Sequence, residues 1–288
     1  MKKILIAVDF SSHTQFSCNY ALDMAITNNA EIMLFHTYFT QYYFSSPSMP
    51  DAFEISPFSN SESSSEAEES AKTQMSSLQN ELIERAKQNY DKSIKIKTKI
   101  TNGNFADDLL DFCSDYFPSV VIIGSKGIGE STSLFGRTAI RIFNKLKHPV
   151  IVIPATDDSK TIENVMYIAD LEASNNVLIR KTYNLLENFN PKIFCVHLAE
   201  DNNYLKAYSS NEYLKSEYQK ELNVNKFQSD VLEGTDKHDE IDEFIKKNNI
   251  NMIVFMPHKA NFFQRLIGQE KSKEYLFETN LPILAIRL

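Results

Sequence analysis

Four short apolar runs before residue 155 are typical of buried strands. They cover residues 3–8, 31–37, 119–123 and 150–153, and they are continuous and rich in Ile and Val. Continuous runs of this kind favour parallel strands that helices cover on both faces. Between them lie helical patterns such as residues 105–116, which place apolar side chains on one helix face. Alternating strands and helices predict a doubly wound parallel α/β sheet with right-handed crossovers.

The same succession of patterns occurs a second time. Asp9 and Asp170 each stand at the end of an apolar run, and the offset between them equals the offset between His36 and His197. Segments beyond residue 100 repeat at shorter offsets, which begin with the one that separates Gly103 from Gly234 and grow by one or two residues towards the end of the chain. The repeat predicts two tandem five-stranded, Rossmann-like domains, which a chain of 288 residues accommodates.

The predicted bounds are residues 1–154 for the first domain (copy one), 155–162 for a linker and 163–288 for the second domain (copy two). Copy two lacks about 30 residues between its second and third strands, where copy one carries an insertion at about residues 40–70. Its most biased part, residues 45–70, is rich in Ser, Glu and Pro, and we expect a mobile loop because it buries too little apolar surface. A lid over a ligand and a phosphorylation segment are the alternatives.

Composition narrows the class of partner. The net charge is −8 and the pI is near 5.4, which disfavours nucleic acid or an acidic membrane as a partner. No apolar stretch is long enough to span a bilayer, so we expect no membrane association. The three cysteines, Cys18, Cys113 and Cys195, fit neither a disulfide framework nor a C-x-x-C metal motif, and we expect buried, reduced thiols in the cytoplasm.

Glycines are clustered in one short segment of copy one. Four of the seven glycines in the chain are Gly124, Gly127, Gly129 and Gly136, and the segment from Gly124 to Gly127 directly follows a predicted strand. Backbone N–H groups without a neighbouring Cβ approach an anion closely, and the helix after Gly136 presents its N-terminal dipole. Asp9 ends the first strand at the same sheet edge, where ligands bind in doubly wound folds. The pattern predicts a phosphate-binding loop.

Several segments together resemble the universal stress protein family, as a tandem two-domain member. They are D-F-S after the first strand, G-N-x-x-D-D-L-L at a helix entry, the G-S-K-G loop, L-F-G-R-T, and H-P-V-I-V-I-P. The resemblance implies an adenine nucleotide alpha hydrolase-like fold that binds ATP, with Mg²⁺, or AMP, and that has no fixed catalytic mechanism. It implies no catalytic residue and no resident metal.

The resemblance also implies the site residues. Asp9 and Thr37 would contact the nucleoside, and the loop residues would surround ribose and phosphates: Gly124, Ser125, Lys126, Gly127, Gly136, Arg137 and Thr138. ATP-binding members carry G-x2-G-x9-G-[ST], whereas here eight residues separate Gly127 from Gly136 and Arg137 replaces Ser or Thr. Arg137 either pairs with phosphate oxygens or fills the pocket.

Copy two departs from the pattern. Met256 and Lys259 stand where copy one has Gly124 and Gly127, and Pro257 removes a backbone donor. We therefore expect copy two to be a degenerate structural or pairing domain. The repeated His36 and His197 favour a packing or hydrogen-bonding role over catalysis.

The fifth strands, in residues 148–154 and 281–288, are apolar and begin near a proline. In the family this strand pairs domains, so we expect the two copies to form an intramolecular pseudo-dimer. Further dimerisation of the whole chain is left open.

The resulting hypothesis is a regulatory stress protein, not an enzyme, that binds an adenine nucleotide in copy one and acts through unidentified protein partners. The alternatives are an interaction scaffold that binds no nucleotide and, third, a slow ATPase. The lack of H-E-x-x-H, G-x-S-x-G and Walker A patterns disfavours classical enzymes.

Overall fold

A computed structural model describes residues 1–39, 57–125, 141–142, 145–154, 162–169, 175–199, 204–221, 226–233, 237–257 and 281–287. These residues form ten strands: β1 Lys3–Ala7, β2 Glu31–Tyr38, β3 Ile96–Asn102, β4 Val120–Gly124, β5 Val150–Ile153, β6 Asn164–Ala169, β7 Lys192–Ala199, β8 Phe227–Glu233, β9 Met252–Phe255 and β10 Ile283–Ala285. Their helices are α1 Thr14–Asn28, α2 Pro57–Tyr90, α3 Phe105–Tyr116, α4 Asn175–Leu186, α5 Tyr204–Glu221 and α6 Lys237–Asn248. A 3₁₀ turn, Glu187–Phe189, extends α4.

All ten strands belong to one sheet in the order β3-β2-β1-β4-β5-β10-β9-β6-β7-β8. Within each half every pairing is parallel, and the strand order in copy two repeats that of copy one. The fold class predicted from the sequence is therefore confirmed. The domain bounds at residues 154 and 163 stay a prediction, and residues 155–161 of the predicted linker lie outside the described residues.

The two halves meet at their fifth strands. β10 runs antiparallel to β5, with Leu284 opposite Ile151, and both side chains are fully buried. The expected pairing of the fifth strands is thus confirmed, and it makes one continuous sheet from the two repeats.

The apolar runs form strands because both faces of the sheet are covered. Ile4 and Ile6 of β1 lie in a core layer with α1, α2, α4 and α5, and Leu5 lies in the opposite layer with α3 and α6. All three side chains are completely buried, which explains why the run is continuous rather than alternating. The cysteines are buried and free, as expected.

The element bounds repeat with the offsets read from the sequence. β7 begins and ends at the same offset from β2 that separates Asp170 from Asp9. β8 likewise begins and ends at the same offset from β3 that separates Gly234 from Gly103. Strands at equivalent positions of the sequence repeat are therefore equivalent strands of the two copies.

The expectation of a mobile loop up to residue 70 is wrong for residues 57–70, which belong to the 34-residue helix α2. The packed part of α2 places Ala71, Met75, Leu82 and Ala86 in the core. Extending a helix from a packed segment costs far less free energy than nucleating a new helix. The polar Ser- and Glu-rich stretch that precedes the packed segment therefore becomes helical without a core of its own. Residues 40–56 of the insertion lie outside the described residues.

The described helices include none that is long and apolar enough to cross a membrane.

Candidate functional site

The candidate site lies where β1 and β4 end side by side. Ile6 of β1 pairs with Ile122 of β4, and the chain leaves β1 towards β2 and leaves β4 towards β5, on opposite sides. This is the topological switch point of copy one, the position where doubly wound sheets leave a crevice between loops. Asp9 follows β1 by two residues, and Gly124 is the last residue of β4.

The Asp9 carboxylate is held at the start of α1. Its Oδ1 accepts a hydrogen bond from the backbone N–H of Ser11 at 3.0 Å and from the Thr14 hydroxyl at 2.5 Å. The other oxygen, Oδ2, accepts no hydrogen bond from any described residue. The carboxylate is therefore oriented by the fold, and within the described part of the chain only one of its oxygens is hydrogen-bonded.

Phe10 adopts a strained backbone conformation beside Asp9. Its φ is 56°, in the left-handed region that bulky side chains rarely adopt. The Phe10 ring lies 4.4 Å from the His36 ring, between centroids, and His36 Nδ1 donates to the Val8 carbonyl at 2.7 Å. His36 thus fixes the loop after β1, which gives it the hydrogen-bonding role expected from the sequence.

Thr37 is directed elsewhere. Its hydroxyl is hydrogen-bonded across to the Thr101 hydroxyl of β3 at 2.9 Å. Neighbouring strand residues face opposite sides of the sheet, so Thr37 and His36 belong to different layers. A contact from Thr37 to a ligand near Asp9 would therefore use its backbone.

Ser125 extends the pairing of β4 with β5 by one residue, because its backbone N–H donates to the Ile153 carbonyl at 2.8 Å. Its side chain is 6% exposed, and the buried Oγ has no partner among the described residues. The hydroxyls of Ser11 and Ser17, on the loop after β1 and the first turn of α1, are likewise buried without a partner in the described part of the chain. An unsatisfied buried hydroxyl costs about 1–3 kcal/mol, so this concentration needs a reason.

Five of the predicted loop residues lie outside the described residues: Lys126, Gly127, Gly136, Arg137 and Thr138. The structure brings Asp9, Gly124 and Ser125 to neighbouring strand ends and places Thr37 one strand away, on β2.

An ion pair that was not predicted from the sequence connects Arg141, which follows the glycine-rich segment, to α3. Arg141 donates to the Asp107 carboxylate at 2.5 Å in the first turn of α3. Asn104 caps the same helix, since its Oδ1 accepts from the N–H groups of Ala106 and Asp107. The adjacent Asp107 and Asp108 at the start of the helix indicate in the sequence that a basic partner is needed. Arg141 lies too far along the chain to be recognised as that partner from the sequence alone.

In copy two a buried methionine follows β9 at the position of Gly124. Met256, at the position of Gly124, is 5% exposed and belongs to the core cluster. His197 is completely buried, and its Nε2 lies 3.1 Å from the Ser210 hydroxyl. Burial lowers the pKa of His197 to about 4, so the ring is neutral at pH 7. Asp170 and Lys259 lie outside the described residues.

The described residues offer neither a metal cluster nor an activated thiol. They contain no group of three or more His, Cys, Asp or Glu side chains suited to a metal ion. Burial raises the pKa of Cys18 to about 12, with Glu81 adding to the effect, and burial raises the pKa of Cys113 to about 12. Both are therefore protonated at neutral pH.

Comparison with known proteins identifies relatives. The family model of the universal stress protein family matches residues 1–154. A universal stress protein from Archaeoglobus fulgidus DSM 4304 has a similar structure, with a TM-score of 0.70, 15% identity, and coverage of 99% of this chain and 98% of that one.

Two Pseudomonas aeruginosa structures are also similar at 10% identity, each over 99% of this chain. One is a functionally unknown protein from strain PAO1, with a TM-score of 0.62 over 92% of its length. The other is a putative universal stress protein from strain UCBPP-PA14, with a TM-score of 0.60 over 93% of its length. Among curated proteins, none matches the chain by sequence.

Proposed function

The chain belongs to the universal stress protein family, and from that premise we propose that copy one binds an adenine nucleotide, AMP or ATP with Mg²⁺. The observation that carries the proposal is the unused hydrogen-bonding capacity at the switch point. The Oδ2 atom of Asp9 and the buried Oγ of Ser125 lie at the ends of adjacent strands without a partner among the described residues.

Each group has a chemical role in this proposal. The oriented Asp9 carboxylate accepts a hydrogen bond from an amino group of the base or a hydroxyl of the ribose. Gly124 has no side chain to take up space beyond β4, and Ser125 offers a hydroxyl donor to an anionic oxygen. Thr37 contributes through its backbone. The segment containing Lys126, Gly127, Gly136, Arg137 and Thr138 would surround ribose and phosphates, with Arg137 suited to a bidentate bond to phosphate oxygens.

Copy two acts as a structural partner in the same proposal. The Met256 side chain is buried in the core at the position of Gly124, and in this proposal a side chain there takes space that a phosphate would need. In this proposal copy one, with predicted bounds 1–154, binds the ligand, and copy two, with predicted bounds 163–288, extends the sheet. Nucleotide binding would change the surface that protein partners contact.

The test is thermal unfolding of the full chain with Mg-ATP, ADP or AMP, beside GTP as a control. A ligand present at about 100 times its Kd stabilises the folded state by about 2.7 kcal/mol, which raises Tm by several degrees. We expect this shift with adenine nucleotides in the wild type and its loss in Asp9→Ala. Asp115→Ala, an exposed carboxylate on α3, is the matched control and keeps the shift.

The shift is compared within each variant, because Asp9→Ala also loses the bonds to Ser11 and Thr14. An unchanged Tm with every nucleotide would contradict the proposal and favour the interaction scaffold. Release of inorganic phosphate, measured in the same samples, distinguishes nucleotide binding from slow ATP hydrolysis.

A further inference from the structure

A second concave site lies at the amino-terminal edge of the sheet, the edge opposite Asp9. It is a cavity of about 560 Å³ between the starts of β1 and β2, the end of α1 and the turn from α2 into β3. Its charged lining residues are Lys2, Lys3, Glu31, Lys92 and Lys95. The volume falls within the usual range for small-molecule sites, about 300–1,000 Å³.

The single carboxylate of this lining is already paired. Glu31 accepts a hydrogen bond from Lys97 at 3.1 Å and from the Tyr116 hydroxyl at 2.9 Å, and it lies 3.5 Å from the Lys95 ammonium. The hydrogen bond from Lys97, which is not a lining residue, is the main reason that the pKa of Glu31 is lowered. Glu31 therefore compensates the charges of Lys95 and Lys97, on one side of the cavity, and not those of the other lining lysines.

Two of the lining lysines are held by neutral groups. Lys3 Nζ donates to the Tyr116 carbonyl at 2.9 Å and lies 4.6 Å from the centre of the Tyr116 ring. Lys92 Nζ donates to the Ile26 carbonyl at 3.4 Å. In the described part of the chain, no carboxylate forms an ion pair with Lys2, Lys3 or Lys92.

These neutral partners fix the positions of the Lys3 and Lys92 ammonium groups but do not neutralise their charges. Tyr116 and Ile26 belong to the last turns of α3 and α1, where helix carbonyls attract cations. Such carbonyls carry only partial charge, equivalent to about half a unit per helix end. Lys95 lies beside Glu31, and the Lys3 ammonium lies on Tyr116 of α3, in the opposite core layer. Lys2 and Lys92 therefore carry the local positive excess at the cavity, in a chain whose net charge is −8.

We propose that this cavity binds a phosphate-bearing anion with at least two negative charges. Lysine ammonium groups act as point charges for phosphate oxygens, and the Ile26 carbonyl sets the position of the Lys92 ammonium before a ligand arrives. The site is separated from Asp9 by the length of β1, so it does not depend on the proposed nucleotide site.

The test is isothermal titration of the full chain with pyrophosphate at low ionic strength. We expect Lys2→Gln/Lys92→Gln to weaken binding at least about tenfold, because two charge-assisted contacts are lost. The matched control, Lys206→Gln/Lys215→Gln on α5, removes the same net charge in copy two and changes affinity by about twofold or less. Gly124→Met, which blocks the proposed nucleotide site, leaves pyrophosphate binding intact.

A second arm uses vesicles that contain phosphatidic acid. Pyrophosphate binding without vesicle binding identifies a soluble ligand, and vesicle binding lost in Lys2→Gln/Lys92→Gln identifies a phosphate-bearing headgroup. The proposal is overturned if wild type binds neither probe, if both lysine pairs weaken binding equally, or if Gly124→Met alone abolishes it.

Discussion

The second strand of each copy carries a histidine at the same position, in different surroundings. His36 in copy one fixes the loop after β1 by donating to Val8 and packing against Phe10. His197 in copy two is completely buried and lies within hydrogen-bond distance of Ser210 on α5. His36 is partly exposed and supports the loop after β1, whereas His197 is a buried core residue.

The helix that follows the first strand shows the same contrast. In copy one the start of α1 is tied to the strand end, because Thr14 donates to Asp9. In copy two Asn175 stands at the position of Thr14, and it accepts from the buried Tyr167 hydroxyl within the core. The first strand and the following helix therefore form in copy two without the threonine hydroxyl that donates to Asp9 in copy one.

The largest expected effect tests whether the two copies share one core. Leu284→Ala removes a fully buried side chain opposite Ile151 at the junction of the two halves, and it should lower the free energy of unfolding by about 2–5 kcal/mol. Leu205→Ala, at an 81% exposed position on α5, is the control and should change it by less than about 0.5 kcal/mol. Urea denaturation followed by circular dichroism measures both, and equal effects would contradict a shared core.

The buried histidine of copy two predicts a pH dependence. Because the folded pKa of His197 is about 4 and the unfolded value is near 6.5, the unfolded state binds the proton first. Stability is therefore complete above pH 6.5 and falls as the pH drops towards 4, by on the order of 2 kcal/mol between pH 7.5 and 5.

Urea denaturation at both pH values checks this, and His197→Gln should flatten the slope. The matched control in copy one is His36→Gln, which keeps His197 and therefore keeps the slope. An identical slope in wild type and His197→Gln would show that other groups cause it.

The smallest effect concerns α3 beside the candidate site. Asn104→Ala removes the cap that accepts from Ala106 and Asp107, and it should cost about 1 kcal/mol of unfolding free energy. Asn104→Gly should cost only a few tenths of a kcal/mol, since glycine is tolerated at this position. Equal losses in the two variants, measured by urea denaturation, would argue against capping as the reason.

Most of the fold follows from local pattern, because buried parallel strands require continuous apolar runs. The predicted run at 150–153 is β5 itself, and the predicted helix at 105–116 is α3 at both ends. The polar part of α2 was missed for the opposite reason: residues 57–70 have no apolar pattern, and their helix depends on Ala71 and Met75 further along.

The candidate site was predictable only where a residue follows a strand directly. Asp9, Gly124 and Ser125 lie at the switch point because the parallel strand order dictates it. The left-handed φ of Phe10 and the pairing of Arg141 with Asp107 depend on contacts between distant segments, which a single sequence does not display. The buried state of His197 likewise depends on how α5 packs.

The most direct test of the contrast between the copies is isothermal titration with AMP and Mg-ATP on three proteins: wild type, Gly124→Met and Met256→Leu. Gly124→Met gives copy one the residue of copy two, whereas Met256→Leu conserves core volume in copy two. We predict one site per chain in wild type and Met256→Leu, and a loss of at least about 100-fold in affinity in Gly124→Met, because the side chain occupies the phosphate space. Two sites per chain, no binding in wild type, or unchanged binding in Gly124→Met would contradict the account.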